Sequence, residues 1–196
     1  MTMAQRTARI ERKTKETDIV VEMNLDGAGT HTIDTGVGFL DHMLSHVSQH
    51  GHIDLSIRAK GDLHVDAHHT VEDVAICIGE ALRQTLGDKK GIARYGNSAV
   101  PMEDALANLA LDLSGRPYCV FHAAFGTEKI GEFDCECIEE FFRALANTAR
   151  LNLHVTVPYG TNSHHIAEAI FKALGQALAQ AVRITGGDVP STKGIL

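Results

Sequence analysis

The chain has 196 residues, 44% hydrophobic and 22% charged, with a formal net charge of −7 at pH 7. That hydrophobic share is ample for a packed core, and a mean hydropathy near zero is that of an ordinary soluble protein. The acidic balance, without any basic run, argues against nucleic acid as a partner, and no apolar stretch reaches the roughly 18 residues of a membrane span.

Residues 1–15 are polar and mixed in charge, without the apolar core of a signal peptide, so a cytoplasmic protein is expected. Residues 8–13 and 18–25 alternate apolar and polar positions and read as two strands, followed by a turn at Asp26-Gly27-Ala28-Gly29 and a short strand over 31–33. Over 39–50 the apolar residues Phe39, Leu40, Met43, Leu44 and Val47 fall at helical spacing, and Gly51 is suited to end that helix. A strand over 53–57 and an amphipathic helix over 70–86, closed by Gly87, complete the first half. The second half runs in the same order, with strands over 109–113 and 118–125, a helix over 137–148, a strand over 151–157 and a helix over 166–182. The four cysteines are too few for a disulfide framework in a chain this long. Cys135-x-Cys137 lacks both zinc-finger spacing and a second pair.

The halves share a motif. His68-His69-Thr70-Val71-Glu72 and His164-His165-Ile166-Ala167-Glu168 both read H-H-x-x-E, 96 positions apart (68 to 164). The expected architecture is therefore α+β: an internally duplicated two-layer sandwich with sheet packed on helices. The chain reads as one pseudo-symmetric domain, with half-repeats of about 1–90 and 91–196. With the motifs in register, His42 and Glu140 fall at equivalent positions on the two earlier helices, allowing a small gap in the intervening loop.

On a helix, residues four apart share a face and neighbours diverge by about 100°. His68 and Glu72 can therefore grip one ion while His69 reaches a second, and the same holds for His164, Glu168 and His165. Imidazole with carboxylate and no thiolate suits Mn, Fe, Co or Zn, and octahedral geometry favours Mn or Fe. One such motif alone is more often a helix start on a solvated face; its duplication in register turns the balance toward metal. His31, His46, His50, His52 and His122 read as surface or capping residues, and His64 and Asp66 as loop residues or supports of the ligands. Arg94 and Arg116 lie in glycine-flanked turns, Lys172 one turn after Glu168, and Ser191 and Lys193 in the tail. Together these groups are able to cradle a phosphate monoester.

Five segments resemble the imidazoleglycerol-phosphate dehydratase family over nearly the whole chain. They are Gly38-Phe39-Leu40-Asp41-His42-Met43, Asp66-Ala67-His68-His69-Thr70-Val71-Glu72-Asp73, Asp112-Leu113-Ser114-Gly115-Arg116-Pro117, Ser163-His164-His165-Ile166-Ala167-Glu168-Ala169 and Pro190-Ser191-Thr192-Lys193-Gly194. The resemblance implies a lyase of histidine biosynthesis acting on a small phosphorylated imidazole, two Mn²⁺ per site, and a 24-subunit shell with sites at subunit contacts. It implies metal ligands at His42, His68, His69, Glu72, His164, His165 and Glu168. Many members of the family have His where this chain has Glu140; the internal repeat supports Glu140 as the eighth ligand, with His154 as the alternative. The resemblance also implies substrate contacts at Glu16, Gln49, Arg94, Arg116, Lys172, Ser191 and Lys193. The proton is expected to move on Glu16, Glu72 or Glu168, with Glu16 favoured because it is not needed as a ligand. A phosphate-releasing metallohydrolase and a metal-storage shell remain as alternatives.

Overall fold

The computed structural model describes residues 6–194 and 196. Residues 1–5, part of the polar N-terminal segment read above, and residue 195 lie outside the described residues. The first half consists of β1 (Thr7–Lys13), β2 (Thr17–Asn24), β3 (His31–Asp34), α1 (Gly38–Gly51), β4 (Asp54–Gly61) and α2 (His68–Leu86). The second consists of β5 (Tyr95–Met102), β6 (Ala105–Asp112), β7 (Tyr118–His122), the short hairpin β8 (Lys129–Ile130) and β9 (Phe133–Asp134), α3 (Glu136–Ala149), β10 (Asn152–Tyr159) and α4 (Ser163–Ala181).

The duplication extends to topology. The first sheet has the order β1-β2-β4-β3 and the second β5-β6-β10-β7, the same permutation. In each, the third strand pairs parallel to the strand between the two helices, β3 with β4 and β7 with β10, and all other pairs in these sheets are antiparallel. Each half is a sheet backed by helices. Alternation explains the layering: in β2, Ile19, Val21 and Met23 are buried, while Val20 and Glu22 face outward. The two halves meet through their helices, α1 crossing α4 and α2 crossing α3. Phe141, Phe142 and Phe171 pack with ring centroids 5.1–5.5 Å apart at this junction, and the apolar residues of both halves form a single core cluster.

Three local features depart from the sequence expectations. β5 is absent from the predicted elements because Gly96 and Pro101 break its pattern; as an edge strand it tolerates both. Gly96 is required there, since a Cβ would lie 1.9 Å from the carbonyl oxygen of Ala177 on α4. The left-handed cap of α1 falls one residue after Gly51. Gly51 is the last helical residue, and His52 adopts the left-handed conformation (φ 52°), its N–H donating to Ser48 O. Its counterpart Arg150 does the same after α3 (φ 55°), with Ala146 O as acceptor. Finally, the helices carrying the motifs begin earlier than the apolar periodicity alone predicts, so His68, His69, His164 and His165 all lie in first turns.

Candidate metal centre

Both motif helices have a side-chain acceptor at their start, although only α4 carries it at the N-cap itself, Asn162; the N-cap of α2 is Ala67. Asp66 Oδ1 accepts from the backbone N–H of His68 at 2.8 Å, and Asn162 Oδ1 accepts from His164 N–H at 2.9 Å, each two residues before the first motif histidine. Such side chains satisfy backbone donors that a helix start leaves free. Asp66 thus supports the start of α2 from one residue before its N-cap. The caps orient the first turn, from which the two histidines diverge: the rings of His68 and His69 are 88° apart in plane and those of His164 and His165 83°.

The crossing of α1 and α4 assembles a cluster. His42, His164 and Glu168 offer ligand atoms all within 4.8 Å of one another, the one such cluster among the described residues. Glu168 Oε2 lies 3.1 Å from His164 Nε2 and 3.5 Å from His42 Nε2. Its other oxygen, Oε1, accepts from Lys172 Nζ at 2.6 Å and lies 3.4 Å from His46 Nε2. Glu168 is 6% exposed. Burial raises its carboxyl pKa, but the ammonium of Lys172, His46 and the contact with His164 outweigh that and hold it down at about 2. His46 was expected at the surface; instead it is half-buried against this cluster. Burial pushes its imidazole down to about 4, so it is neutral at pH 7.

The crossing of α2 and α3 holds the equivalent positions without a cluster of comparable closeness among the described residues. Glu72 and Glu140 line one cavity of about 430 Å³, together with Tyr118 and Arg143. Glu140 occupies the fifth position of α3, as His42 does in α1. His154, the alternative ligand, is exposed on β10 between the inward-facing Leu153 and Val155, on the sheet face away from the helices. The cavity therefore gathers Glu140 and not His154.

His69 and His165 contact acidic partners instead, of which Asp62 and Asp104 were not singled out in the sequence and Glu16 was. His69 Nδ1 is 3.0 Å from Asp62 Oδ2, a contact that raises the His69 pKa, and 4.0 Å from Glu16 Oε2. His165 Nδ1 is 2.6 Å from Asp104 Oδ1, and this contact, with donation from Thr161, holds Asp104 far below the ordinary carboxylate range. Glu16 and Asp104 both sit in hairpin turns, between β1 and β2 and between β5 and β6. The Glu16 turn is tied to α2 through Asp73, which accepts from Thr17 Oγ1 at 2.5 Å and from Arg12 Nε at 2.9 Å.

The candidate phosphate residues gather elsewhere. Arg94 makes a two-pronged pair with Asp112 (2.7 and 3.0 Å), and its third nitrogen donates to Pro190 O at 2.9 Å, docking the tail that carries Ser191 and Lys193. Arg116 is exposed at the adjacent turn, and buried Lys89 donates to Leu113 O at 2.9 Å. Arg94 N–H donates to Ala181 O at the far end of α4. Glu168 and Ala181 are 13 residues apart, about 20 Å along a helix. Lys172 stays with Glu168, and Gln49 is exposed on α1, without a contact to any of these residues among the described ones.

Comparison with known proteins shows the family and the fold. Residues 35–178 match the family described as imidazoleglycerol-phosphate dehydratase. The chain is 54% identical to the imidazoleglycerol-phosphate dehydratase of Chlorobium phaeobacteroides, covering 97% of this chain and 96% of that one. It is 56% identical to that of Acetivibrio thermocellus, covering 97% and 99%. Its fold superimposes on the crystal structure of the Staphylococcus aureus imidazoleglycerol-phosphate dehydratase with a TM-score of 0.84 at 41% identity, covering 91% of this chain and 99% of that one. The Pyrococcus furiosus structure, solved in complex with (S)-C348, gives 0.84 at 38% identity, covering 95% and 100%.

Proposed function

The chain belongs to the imidazoleglycerol-phosphate dehydratase family, the hydro-lyases of histidine biosynthesis, and from that premise we propose a metal-dependent dehydration of D-erythro-imidazoleglycerol phosphate to imidazole acetol phosphate. The observation that supports metal dependence is the convergence of His42, His164 and buried Glu168. This donor set of nitrogen and oxygen without sulfur fits Mn²⁺. His42, His164 and Glu168 would hold one ion, and His68, Glu72 and Glu140 a second. His69 and His165, which diverge from their own clusters, would complete the sites of neighbouring copies. The bound ions would supply Lewis-acid polarisation of the substrate's imidazole.

The chain's own groups do the rest. Lys172 keeps Glu168 ionised and in place. Arg94, Arg116, Ser191 and Lys193 hold the phosphate through charge-assisted hydrogen bonds, and Gln49 contributes to substrate binding. Glu16, half-exposed in its turn and within reach of the divergent His69, takes the proton from the carbon one removed from the ring. The hydroxyl next to the ring leaves as water, and the resulting enol tautomerises to the ketone with the phosphate ester intact. A substrate this small cannot span the roughly 20 Å from Glu168 to the Arg94 end of α4. Metal ligands and phosphate cradle of one site would therefore come from different copies, which supports a self-associated enzyme of the 24-subunit class.

The test is turnover of imidazoleglycerol phosphate by metal-stripped protein, with and without Mn²⁺. Ketone formed only with metal, without inorganic phosphate, is the expected result. Phosphate release would favour a hydrolase, and no turnover with ions bound would favour storage. Sedimentation of the active form tests the assembly: a monomer with full activity would contradict sites shared between copies.

A further inference from the structure

The two half-sites are built from equivalent positions of a repeat, and their differences are therefore informative. At the α1–α4 crossing stand His42, His46, His164, Glu168 and Lys172; at the matching positions of the α2–α3 crossing stand Glu140, Ala144, His68, Glu72 and Ile76. The first set offers three imidazoles and one carboxylate, with an ammonium at the carboxylate. The second has one imidazole and two carboxylates at the equivalent positions, the carboxylates lining one cavity with Arg143. His69 and His165 occupy equivalent positions, each with an acidic partner, and do not distinguish the halves.

His46 makes the larger difference. Its Nε2 lies 3.4 Å from His42 Nε2 and 3.4 Å from Glu168 Oε1. Two donors on one ion, each about 2.1 Å from it, lie roughly 3 to 3.5 Å apart. The His46–His42 separation matches, as do those of His42 and His164 from Glu168 Oε2 (3.5 and 3.1 Å), while His46 faces the other oxygen, Oε1, which also accepts from Lys172. The ring of His46 is fixed between those of His42 and His50, with centroids at 4.5 and 5.9 Å, so little ordering is left to binding.

We propose that the two metal half-sites are chemically unequal. The α1–α4 half-site, with His46 as an additional nitrogen donor, selects Zn²⁺-like ions, while the α2–α3 half-site retains Mn²⁺-like ions. Imidazole-rich sites discriminate strongly for Zn²⁺ over Mn²⁺, and carboxylate-rich sites do so weakly. This rests on the metal-dependent reading above.

The experiment is stepwise displacement of Mn²⁺ from the fully loaded, assembled protein by Zn²⁺, read by elemental analysis of protein-bound metal and by the Mn²⁺ paramagnetic resonance signal. Two phases of about one ion per chain are expected, separated at least about tenfold in the Zn²⁺ concentration required. His46→Gln should draw the tight phase toward the weak one. Glu140→His, which returns an imidazole to the other half-site, should close the gap from the opposite side and serves if His46→Gln fails to fold. Displacement in one phase, or a separation that neither variant alters, would overturn the inequality while leaving metal dependence intact. Protein that holds no Mn²⁺ at all would overturn the metal reading itself.

Discussion

Gly79 and Gly175 occupy the same position in the two repeats, and each is the point where its helix touches a helix of the other half. A Cβ on Gly175 would lie 2.8 Å from Val47 O and 3.0 Å from Gly51 N; one on Gly79 would lie 3.0 Å from Ala149 N and 3.1 Å from Leu145 O. These contacts are backbone atoms, joined by Thr148 Cβ at 2.9 Å from Gly79 and His50 Cβ at 3.2 Å from Gly175, none of which can swing aside. In a free helix, Gly→Ala stabilises by about 1 kcal/mol. Here the sign reverses. Gly175→Ala should destabilise the protein by about 1–3 kcal/mol and lower the thermal midpoint. Because α1 and α4 would be pushed apart, it should also weaken metal binding. An unchanged midpoint would show that the crossing relaxes freely.

Glu168 is the shared partner of four groups, so removing its charge acts on all of them. Glu168→Gln should lower metal affinity by more than about 100-fold, beyond what is lost when a supporting residue is changed, and abolish metal-dependent turnover. Lys172→Met leaves the carboxylate in place and should reduce affinity far less. Calorimetric titration of both variants with Mn²⁺ checks this; equal losses would make Lys172, and not the carboxylate, the organising charge.

Asp73 ties the Glu16 turn to α2 through Thr17 and Arg12. Asp73→Ala leaves the buried hydroxyl of Thr17 without that acceptor and should cost about 2–3 kcal/mol. If Glu16 moves the proton, the loosened turn should depress kcat more than KM. A change confined to KM would assign the turn to binding alone.

Asp54 accepts from the backbone N–H groups of Ala28 and Thr30, both at 2.9 Å, and so organises the turn from β2 to β3. These bonds, Ala28's first, lower its pKa below the ordinary 3.8. The folded state therefore binds this proton less readily than the unfolded chain. The stabilisation is complete above the ordinary value and is lost as pH falls through the lower folded one. Asp54→Asn should be less stable than the parent at neutral pH by about 1–2 kcal/mol, with the difference shrinking under acid. Denaturant melts across that pH range test it, and a difference that grows on acidification would reverse the assignment.

Much of this was legible in the chain itself. Alternation in β2 and helical spacing in α1 and α2 are local properties of sequence, because burial on one face imposes a period of 2 or 3.6 residues. The repeat was legible from His68-His69-x-x-Glu72 and His164-His165-x-x-Glu168, and it correctly paired His42 with Glu140 without any coordinates. Tertiary structure decided what local pattern cannot encode. β5 exists because β6 offers it an edge and Gly96 admits α4, although its own residues carry no strand pattern. His46 joins Glu168 because α1 crosses α4 at that turn; in sequence it is one more exposed-looking histidine. His154 is excluded from the Glu72 cavity by the face of β10 on which it stands. The separation of Arg94 from Glu168 follows from the length of α4, a rigid rod whose two ends no motif relates. Spacing along the chain determines which side chains share a face, whereas which faces meet is settled only when all four helices are packed against one another.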